Sequence, residues 1–332
     1  MTALAEIAVH DVGDRGPIAL LEREMPAARE IIIAGRRQFG SPLVDFIDWA
    51  SRAWARRARA PYLDEVEAAS EMGLPRGVWF MNYAFEWGCT TRAVDDPAGG
   101  VRLLRTLDWP FHGLGRHLVV ARHETAFGPY YNITWPGFMG VITAVAPGRF
   151  AIAINQAPVL KLGPNWLPYP WYLDLVMGRI GTFAGREIAP AFLLRQVFEN
   201  CATFEEAKNL LRTTPLALPV FFVLAGCKSG EHCVIERLAT AANLYDREAV
   251  VANNWLDENL RGYARGLENG KRCEALNSYS LAEDKDLAWL KPPVLNDHTR
   301  LALVANAASK QLIVQGYEKD GPATRVLEVN CE

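Results

Sequence analysis

The 332-residue chain lacks several features that would assign it to a class of protein at once. It contains no run of about eighteen apolar residues, so a membrane-spanning helix is not predicted. Its 35 basic and 38 acidic residues give a net charge of −3, which offers no electrostatic reason to expect nucleic acid as a partner. Internal repeats, low-complexity linkers and phosphate-cradling glycine loops are also missing. Half of all residues in the chain are apolar, which is enough for a large core.

A secretory signal is also missing from the first residues. They have no basic region, and Glu6, His10, Asp11 and Asp14 interrupt any apolar stretch. We therefore expect a cytoplasmic location, although a processed chain that had already lost a leader would give the same pattern.

Cysteine is scarce, and its spacing fits neither a metal site nor a dense disulfide framework. The six cysteines are Cys89, Cys201, Cys227, Cys233, Cys273 and Cys331. Cys227 and Cys233 lie too far apart for the usual two-to-four-residue spacing of zinc ligands. We predict no metal and no other cofactor. Because every cysteine lies at or after Cys89, no disulfide could join a piece ending before that residue to the rest.

Helices are predicted in the first part of the chain, from Glu22 to about Glu71. One helix, Leu43–Arg59, follows the start signal Gly40-Ser41-Pro42 and carries Trp49 and Trp54 among several arginines. Such a segment is most often a domain helix with a solvated face. A weak contact with a membrane surface through residues 43–59 is the alternative, since basic helices that carry tryptophan can lie on membranes.

Strands separated by turn signals are predicted after Cys89. They cover Val101–Trp109, His117–Glu124, Tyr130–Trp135, Gly140–Ala146 and Arg149–Ala153. A helical stretch follows from about Tyr172 to Arg212, with a helix start at Thr203–Glu206.

The last third of the sequence is predicted to return to strands. Pro219–Ala225 and His232–Arg237 flank a hairpin loop, and Ala241–Tyr245 with Ala249–Asn253 form a second pair. A last helix, Arg300–Gln315, leads to a closing strand, Thr324–Val329. Alternating runs of strands and helices predict an α+β domain in which helices cover antiparallel sheets.

The most informative local feature is Gly88-Cys89, followed by Arg105 and Asp108. The thiolate is the nucleophilic form of cysteine, and a nearby guanidinium would stabilise it. A strand that begins at Cys89 and turns near Gly100 would bring residues 101–109 back beside the thiol. Arg105 and Asp108 are three residues apart, so on a regular strand they face opposite sides. Either a bulge intervenes or Asp108 lies where the strand ends.

The sequence near Cys89 contains no histidine to act as its base. If the Gly88–Cys89 bond were cut, the freed α-amine of Cys89, with a pKa of about 7.7–8.0, could be the base instead. Gly88 would suit this cut because a scissile peptide in a strained geometry is tolerated best at a residue without Cβ.

Several motifs resemble, in order, landmarks of the acid ceramidase and N-acylethanolamine acid amidase family. They are Gly88-Cys89-Thr90-Thr91, Arg105-x-x-Asp108-Trp109, Trp135–Thr143, Phe150–Asn155, Pro219–Phe222, Ser229–Arg237 and Val250–Trp255. This family belongs to the N-terminal nucleophile (Ntn) hydrolases, related to choloylglycine hydrolases and penicillin V acylases. The resemblance covers about residues 80 to 280. It implies a four-layer αββα fold with two stacked antiparallel sheets flanked by helices.

The resemblance also implies roles for individual residues. Cys89 would be the nucleophile, Arg105 would lie beside its thiol, and Asp108 would hydrogen-bond the freed amine. Asn254 would donate to the oxyanion, and Asn155 would help to hold it or the substrate carbonyl.

Two of the implied positions leave alternatives open. Asn253 is the alternative to Asn254. Arg272 resembles a late arginine that braces the site, with Arg261 or Arg265 as alternatives.

The resemblance further implies a precursor that cuts itself between Gly88 and Cys89. Residues 1–88 would form an N-terminal helical segment and residues 89–332 the catalytic part, and both pieces would remain associated in one globular domain. The expected reaction is hydrolysis of a linear N-acyl amide through a Cys89 thioester, without a cofactor. The alternatives are an acyltransferase that uses an amine acceptor and an uncleaved, non-enzymatic lipid-binding protein.

Apolar side chains near these motifs suggest an acyl group in the substrate. Trp109, Trp135 and Phe138 are the expected substrate contacts. The apolar segments Phe138–Val145 and Trp166–Val176 could line an acyl pocket or belong to the core.

Overall fold

A computed structural model describes residues 4–84, 87–161, 184–281 and 286–332. The apolar segment Trp166–Val176 and the first part of the helical stretch predicted from Tyr172 lie outside these residues. In the described part of the chain, no helix combines the length and apolar character that crossing a membrane requires.

The N-terminal segment contributes one strand and five helices. They are β1 (Val9–Gly13), α1 (Gly16–Arg23), α2 (Met25–Phe39), α3 (Ser41–Ala58), α4 (Leu63–Glu71) and α5 (Val78–Tyr83). The predicted start of α3 is confirmed, with Pro42 in its first turn. Helix α5 was not predicted. Asp48 of α3 accepts a hydrogen bond of 3.0 Å from the Phe80 amide, so the two helices are joined at the beginning of α5.

The rest of the described chain is mostly strands. They are β2 (Gly88–Asp95), β3 (Val101–Asp108), β4 (Val119–His123), β5 (Tyr130–Thr134), β6 (Thr143–Ala146), β7 (Phe150–Gln156), β8 (Val159–Leu160), β9 (Val220–Gly226), β10 (His232–Arg237), β11 (Ala242–Tyr245), β12 (Ala249–Val251), β13 (Gly262–Tyr263), β14 (Thr299–Asn306), β15 (Gln311–Glu318), β16 (Gly321–Pro322) and β17 (Leu327–Asn330). The helices are α6 (Pro190–Asn200), α7 (Phe204–Thr213) and α8 (Asn269–Ser278), and a 3₁₀ turn covers Gly115–His117. The predicted helix start at Thr203–Glu206 is confirmed, and Thr203 and Glu206 form a capping box at the start of α7.

Two sheets stack face to face. One has the strand order β1-β4-β5-β6-β7-β9-β10-β11, and the other has β12-β2-β3-β14-β15-β16, with β17 also paired to β15. Strands β2 and β3 pack against β7 and β9, so the largest apolar core lies between the sheets. Helix α8 covers β2 and β12, and α7 covers β9 to β11. The predicted α+β fold with four αββα layers is therefore confirmed.

Two predictions for the last third of the chain are wrong. Residues 300–315 lie in the hairpin of β14 and β15 rather than in a helix. Both strands are buried on both faces, so their sequence lacks the alternation that distinguishes a strand from a helix. The predicted pairing of β11 with β12 is also wrong, because β11 pairs with β10 while β12 pairs with β2 in the other sheet.

The N-terminal segment and the rest of the described chain form one sheet and one apolar core together. Strand β1 is the edge strand of the eight-stranded sheet and pairs in parallel with β4. Ile31 of α2 belongs to the same apolar core as Cys89. The division of the chain at residue 88 stays a prediction.

Candidate active site

Cys89 is the second residue of β2 and lies between the two sheets. The hairpin of β2 and β3 pairs it with Leu107. Its side chain is fully buried, with Sγ 3.2 Å from Arg105 Nη2 and 3.7 Å from the Ile154 carbonyl oxygen. The turn between β2 and β3 therefore brings the guanidinium to the thiol, as the spacing of the two residues predicted.

Burial and charge act in opposite directions on this thiol. Burial raises the pKa of Cys89 to about 11, while the positive charges of Arg105 and Arg272 and the backbone amide of Gln156 act to lower it. In the uncut chain the thiol is therefore protonated near neutral pH. An attack by sulfur requires a group that accepts this proton.

Asn155 lies on the same side of the thiol as Arg105. Its Oδ1 accepts hydrogen bonds from Thr91 Oγ1 at 2.6 Å and from Arg105 Nη1 at 3.3 Å. Its side-chain amide donates to the carbonyl oxygens of Val251 and Ala252, at 2.8 and 3.3 Å. In this arrangement Asn155 joins β7 to the segment after β12 and orients the guanidinium.

Asp108 faces the other side of β3, toward helix α8. Its Oδ2 lies 2.5 Å from Arg272 Nη1, and its Oδ1 accepts a hydrogen bond of 2.9 Å from Thr299 Oγ1. Asp108 is the last residue of β3, and the register between β3 and β14 shifts opposite it, between Thr299 and Leu301. Of the two alternatives expected from the spacing, the strand end at Asp108 is present, whereas the extra residue of the register shift belongs to β14, because β3 pairs with β2 without a bulge. Even so, the link to the site runs through Arg272.

Arg272 is the central residue on this side of β3, the side that faces α8. It is fully buried on α8, a helix that was not predicted. Its guanidinium donates to Asp108 Oδ2, to the Cys89 carbonyl oxygen at 3.1 Å, to Thr90 Oγ1 at 2.8 Å, to Asn253 Oδ1 at 3.3 Å and to Asn269 Oδ1. Of the three arginines considered from the sequence, Arg272 is the one that the structure brings to Cys89. Arg261 is exposed, and Arg265 lies beside Gly88 in an open cleft.

The two adjacent asparagines differ sharply in position. Asn253 is fully buried, and its Oδ1 accepts a hydrogen bond of 2.8 Å from the Cys89 amide. Asn254 is exposed, and its Oδ1 accepts from Asn269 Nδ2 at 3.1 Å. The structure therefore does not bring Asn254 to the thiol and gives that place to Asn253. The pairing of β12 with β2, which the sequence did not reveal, delivers Asn253 to this position.

We expect the two asparagines to differ equally sharply when replaced. Asn253→Ala removes a buried partner of the Cys89 nitrogen and should lower hydrolysis by about 10²-fold, the size typical of losing one preorganised polar group from an active site. Asn254→Ala should change it by about twofold or less, as exposed substitutions usually do. The rate constants of the two purified variants decide this. A larger loss for Asn254→Ala would contradict the geometry.

Gln156 is a site residue that the sequence reasoning missed. Its Oε1 accepts a hydrogen bond of 2.7 Å from the Trp87 amide, and its carbonyl oxygen accepts one of 2.7 Å from Asn253 Nδ2. It therefore holds Trp87, two residues before Cys89, and it also holds the side chain of Asn253. The available signal was its position directly after Asn155, at the end of a motif already noted.

Gly88 does not have the strained backbone that was expected of it. Its φ lies outside the left-handed region. A Cβ at this position would lie 3.4 Å from the Gly266 Cα and 3.5 Å from Asn253 Oδ1, which are ordinary contacts. Neither the backbone conformation of Gly88 nor the space around it therefore requires a glycine.

Two openings lie on either side of Trp87. A narrow apolar cavity of about 40 Å³ is lined by Trp87, by residues of α2, α3 and α5, and by all three expected substrate contacts, Trp109, Trp135 and Phe138. A wider cleft of about 580 Å³ is lined by Trp87, Gly88, Asp108, Arg265 and His298, among others. Burial lowers the pKa of Arg265 to about 10, and its Nε donates to the Ala157 carbonyl oxygen at 2.8 Å. The second opening is thus the more polar of the two.

The chain is also similar to known proteins. Residues 89–281 match the model of the linear amide C–N hydrolases, choloylglycine hydrolase family. The chain is 28% identical over 236 residues to the N-acylethanolamine-hydrolyzing acid amidase of Caenorhabditis elegans, covering 66% of this chain and 63% of that protein. It is 35% identical over 104 residues to human acid ceramidase, covering 31% of this chain and 24% of the ceramidase. The matches thus span less than two thirds of these relatives' own length.

The fold is also found among solved structures. The structure of a Caenorhabditis elegans N-acylethanolamine-hydrolyzing acid amidase ortholog superposes with a TM-score of 0.51. The superposition covers 73% of this chain and all of that one, at 19% sequence identity. At this identity the likeness shows the fold.

Proposed function

This chain belongs to the linear amide C–N hydrolases of the choloylglycine hydrolase family, and we propose that it hydrolyses an N-acyl amide with an apolar acyl chain after cutting its own Gly88–Cys89 bond. The observation that carries this proposal is the 3.2 Å approach of Arg105 Nη2 to the Cys89 sulfur. The amide of the peptide bond just upstream of that sulfur, Cys89 N, donates to Asn253, and the Trp87 amide before it donates to Gln156. A nucleophile, a cation for its charge and an immobilised amide are thus together in one buried place.

The self-cleavage follows from these positions. Cys89 Sγ attacks the Gly88 carbonyl carbon, the bond from that carbon to the Cys89 nitrogen breaks, and the nitrogen leaves as an amine that carries the former thiol proton. Water then hydrolyses the Gly88 thioester to a carboxylate and a free thiol. Arg105 stabilises the negative charge on sulfur during both steps.

Turnover of a substrate uses the amine that the cut sets free. The amine takes the thiol proton, the thiolate attacks the amide carbonyl, and the proton passes to the leaving nitrogen as the C–N bond breaks. Water, deprotonated by the same amine, releases the acid from the Cys89 thioester. Asn253 Oδ1, which accepts from the Cys89 amide in the uncut chain, is the group that would orient the amine.

The two openings beside Trp87 would take the two ends of the substrate. The apolar cavity with Trp109, Trp135 and Phe138 suits the acyl chain, because contact with aromatic and aliphatic walls removes its surface from water. The wider, more polar cleft suits the amine portion. Because residues from both sides of the cut line the apolar cavity, both pieces must stay together for activity.

A partly buried ionic cluster supports their continued association. Arg195 of α6 binds Glu65 of α4 with two hydrogen bonds, of 2.7 and 2.9 Å, and also binds Glu199 at 2.8 Å. Tyr62 donates a hydrogen bond of 2.5 Å to Glu199, and its ring lies 3.8 Å from the Arg195 guanidinium carbon. The contacts of Arg195 with Glu65 and Tyr62 and of Tyr62 with Glu199 cross the proposed cut and would outlast it.

Two measurements test the proposed function together. Denaturing electrophoresis with N-terminal sequencing should find a large fragment that begins at Cys89, and a panel of N-acyl amides should release free acid. Active protein with an intact mass of 36.9 kDa would overturn the cleavage. Exclusive transfer of the acyl group to an added amine would identify an acyltransferase. A protein that binds acyl amides but whose Cys89 is not labelled by a thiol-reactive acyl probe would be a lipid-binding relative.

We further propose a weak contact with membrane surfaces through α3. Leu43, Phe46 and Trp49 are 48%, 63% and 67% exposed, and the rings of Phe46 and Trp49 lie 6.1 Å apart. Val44, on the same helix, lines the apolar cavity. The exposed apolar ridge is therefore close to the space proposed for the acyl chain.

Removing this apolar ridge should weaken binding to lipid vesicles. We expect the double variant Phe46→Ser, Trp49→Ser to bind vesicles that contain anionic phospholipid about tenfold or more weakly, given the apolar surface lost. Cosedimentation measures the bound fraction. Leu244→Ser, an exposed apolar residue on β11, is the matched control and should not change it. Equal binding by the double variant and the wild type would exclude the contact.

A further inference from the structure

We propose that Gly35 of helix α2 sets the length of the acyl chain that the protein accepts. The inference rests on the proposed function and deepens it, because it assigns the far end of the apolar cavity to one residue. Gly35 is buried and lines that cavity, on the side formed by the N-terminal helices.

A row of aromatic side chains leads from the nucleophile to Gly35. Trp87, two residues before Cys89, lies 5.7 Å from Trp109, and Trp109 lies 5.9 Å from Phe111, measured between ring centroids. A Cβ added at Gly35 would lie 3.6 Å from the tip of the Phe111 ring. All four residues line the same cavity. A chain attached to Cys89 that follows this row would therefore reach Gly35 after passing Trp87, Trp109 and Phe111.

Neither backbone conformation nor packing explains the glycine at this position. Gly35 lies inside α2, where glycine lowers helix stability relative to alanine, and its φ is not positive. Among the described residues beyond its own helix, Phe111 is the neighbour within reach of a Cβ, at an ordinary contact distance. Gly77, which lines the same cavity, has a φ of 139° and a Cβ there would lie 2.9 Å from Ile32. Glycine is thus required at position 77 by the structure, whereas at position 35 it keeps cavity space open.

The shape of the cavity restricts the kind of chain. It is narrow, at about 40 Å³, and its wall is almost entirely apolar. A single unbranched alkyl chain can thread such a space along aromatic faces, whereas a fused ring system cannot. The substrate class is accordingly an amide of a linear acyl group, with Gly35 at the position of its terminal carbons.

A side-chain series at position 35 tests this assignment. Gly35→Ala and Gly35→Leu are compared with wild type on N-acyl amides that share one amine and differ by two methylene groups from member to member. Relative to a shorter member, kcat/KM for the longest accepted chain should fall about tenfold or more in Gly35→Leu, and by a smaller factor in Gly35→Ala. Short members should be hydrolysed as by the wild type. Gly35→Ala should also raise Tm, because alanine stabilises the helix.

Gln38→Leu is the matched control, since it adds the same side chain to an exposed position of the same helix. It should leave the chain-length profile unchanged. A wild-type protein that hydrolyses no member would overturn the proposed function. An active wild type with the same profile in both Gly35 variants would overturn the role of Gly35 alone. If Gly35→Leu did not fold, the profile of Gly35→Ala would still decide the question.

Discussion

Replacing Cys89 with alanine is expected to leave the chain uncut at 36.9 kDa and to abolish hydrolysis. The sulfur is the proposed attacking atom in both reactions, and alanine cannot form a thioester. Loss of a nucleophile typically lowers turnover by on the order of 10⁶-fold, which is complete inactivation in an ordinary assay. Mass spectrometry of the purified protein and acid release from an N-acyl amide measure the two effects separately.

Cys227→Ala is the control for the loss of a thiol. Cys227 is half-buried at the end of β9, and its sulfur contacts the Arg149 carbonyl oxygen rather than the site around Cys89. This variant should be cut and should hydrolyse substrate like the wild type. If Cys89→Ala were still cut at residue 88, the nucleophile would have to be another group.

The second large effect is expected from Arg272→Met. Arg272 and Asp108 form an ion pair in which both side chains are almost completely buried. Removal of the guanidinium leaves the Asp108 carboxylate buried beside Thr299 without its cation, and breaking such a pair typically costs about 3–5 kcal/mol. We therefore expect a strongly lowered free energy of unfolding and little or no self-cleavage. Denaturant unfolding and the fraction of cut chain are the measurements.

Lys271→Met separates this effect from the loss of a positive charge on α8. Lys271 is 71% exposed and pairs with Glu268 at the surface, so its replacement should leave the free energy of unfolding close to that of the wild type. The double variant Asp108→Asn, Arg272→Met should be more stable than Arg272→Met alone, because the uncompensated charge is gone. A double variant as unstable as the sum of the two single changes would show that the pair is not coupled.

The first half of the catalytic arrangement could be predicted from local sequence. A strand that starts at Cys89, a glycine-rich turn and a returning strand are enough to place Arg105 near the thiol, and the structure has this hairpin. The fold class was also accessible, because runs of strands alternate with runs of helices over the chain.

The other half depended on pairings that no local pattern encodes. Asn253 reaches Cys89 because β12 leaves the strand that precedes it in sequence and joins β2 in the opposite sheet. Sequence proximity favoured a hairpin with β11 instead. Arg272 lies on a helix whose residues show little apolar periodicity, so neither the helix nor its approach to Asp108 was visible.

The prediction of a helix where the chain forms the hairpin of β14 and β15 was wrong for a related reason. Its strands are covered on one face by the second sheet and on the other by further apolar residues, so hydrophobic side chains follow one another without alternation. Only the turn gives a local signal, since Asn306 Oδ1 accepts from the amides of Ala308 and Ser309. A buried strand of this kind is distinguished from a helix by its partners.

The place of β1 at the edge of the eight-stranded sheet bears on how the protein would come apart. In the uncut chain this strand is tethered, so unfolding is unimolecular and independent of concentration. A cut at residue 88 would make the same transition a dissociation into two polypeptides, and its midpoint would then depend on protein concentration. The chain would fold as one polypeptide, and after the cut it would persist as a complex of two. Dilution, which has no effect on the precursor, would favour the separated pieces of the mature form.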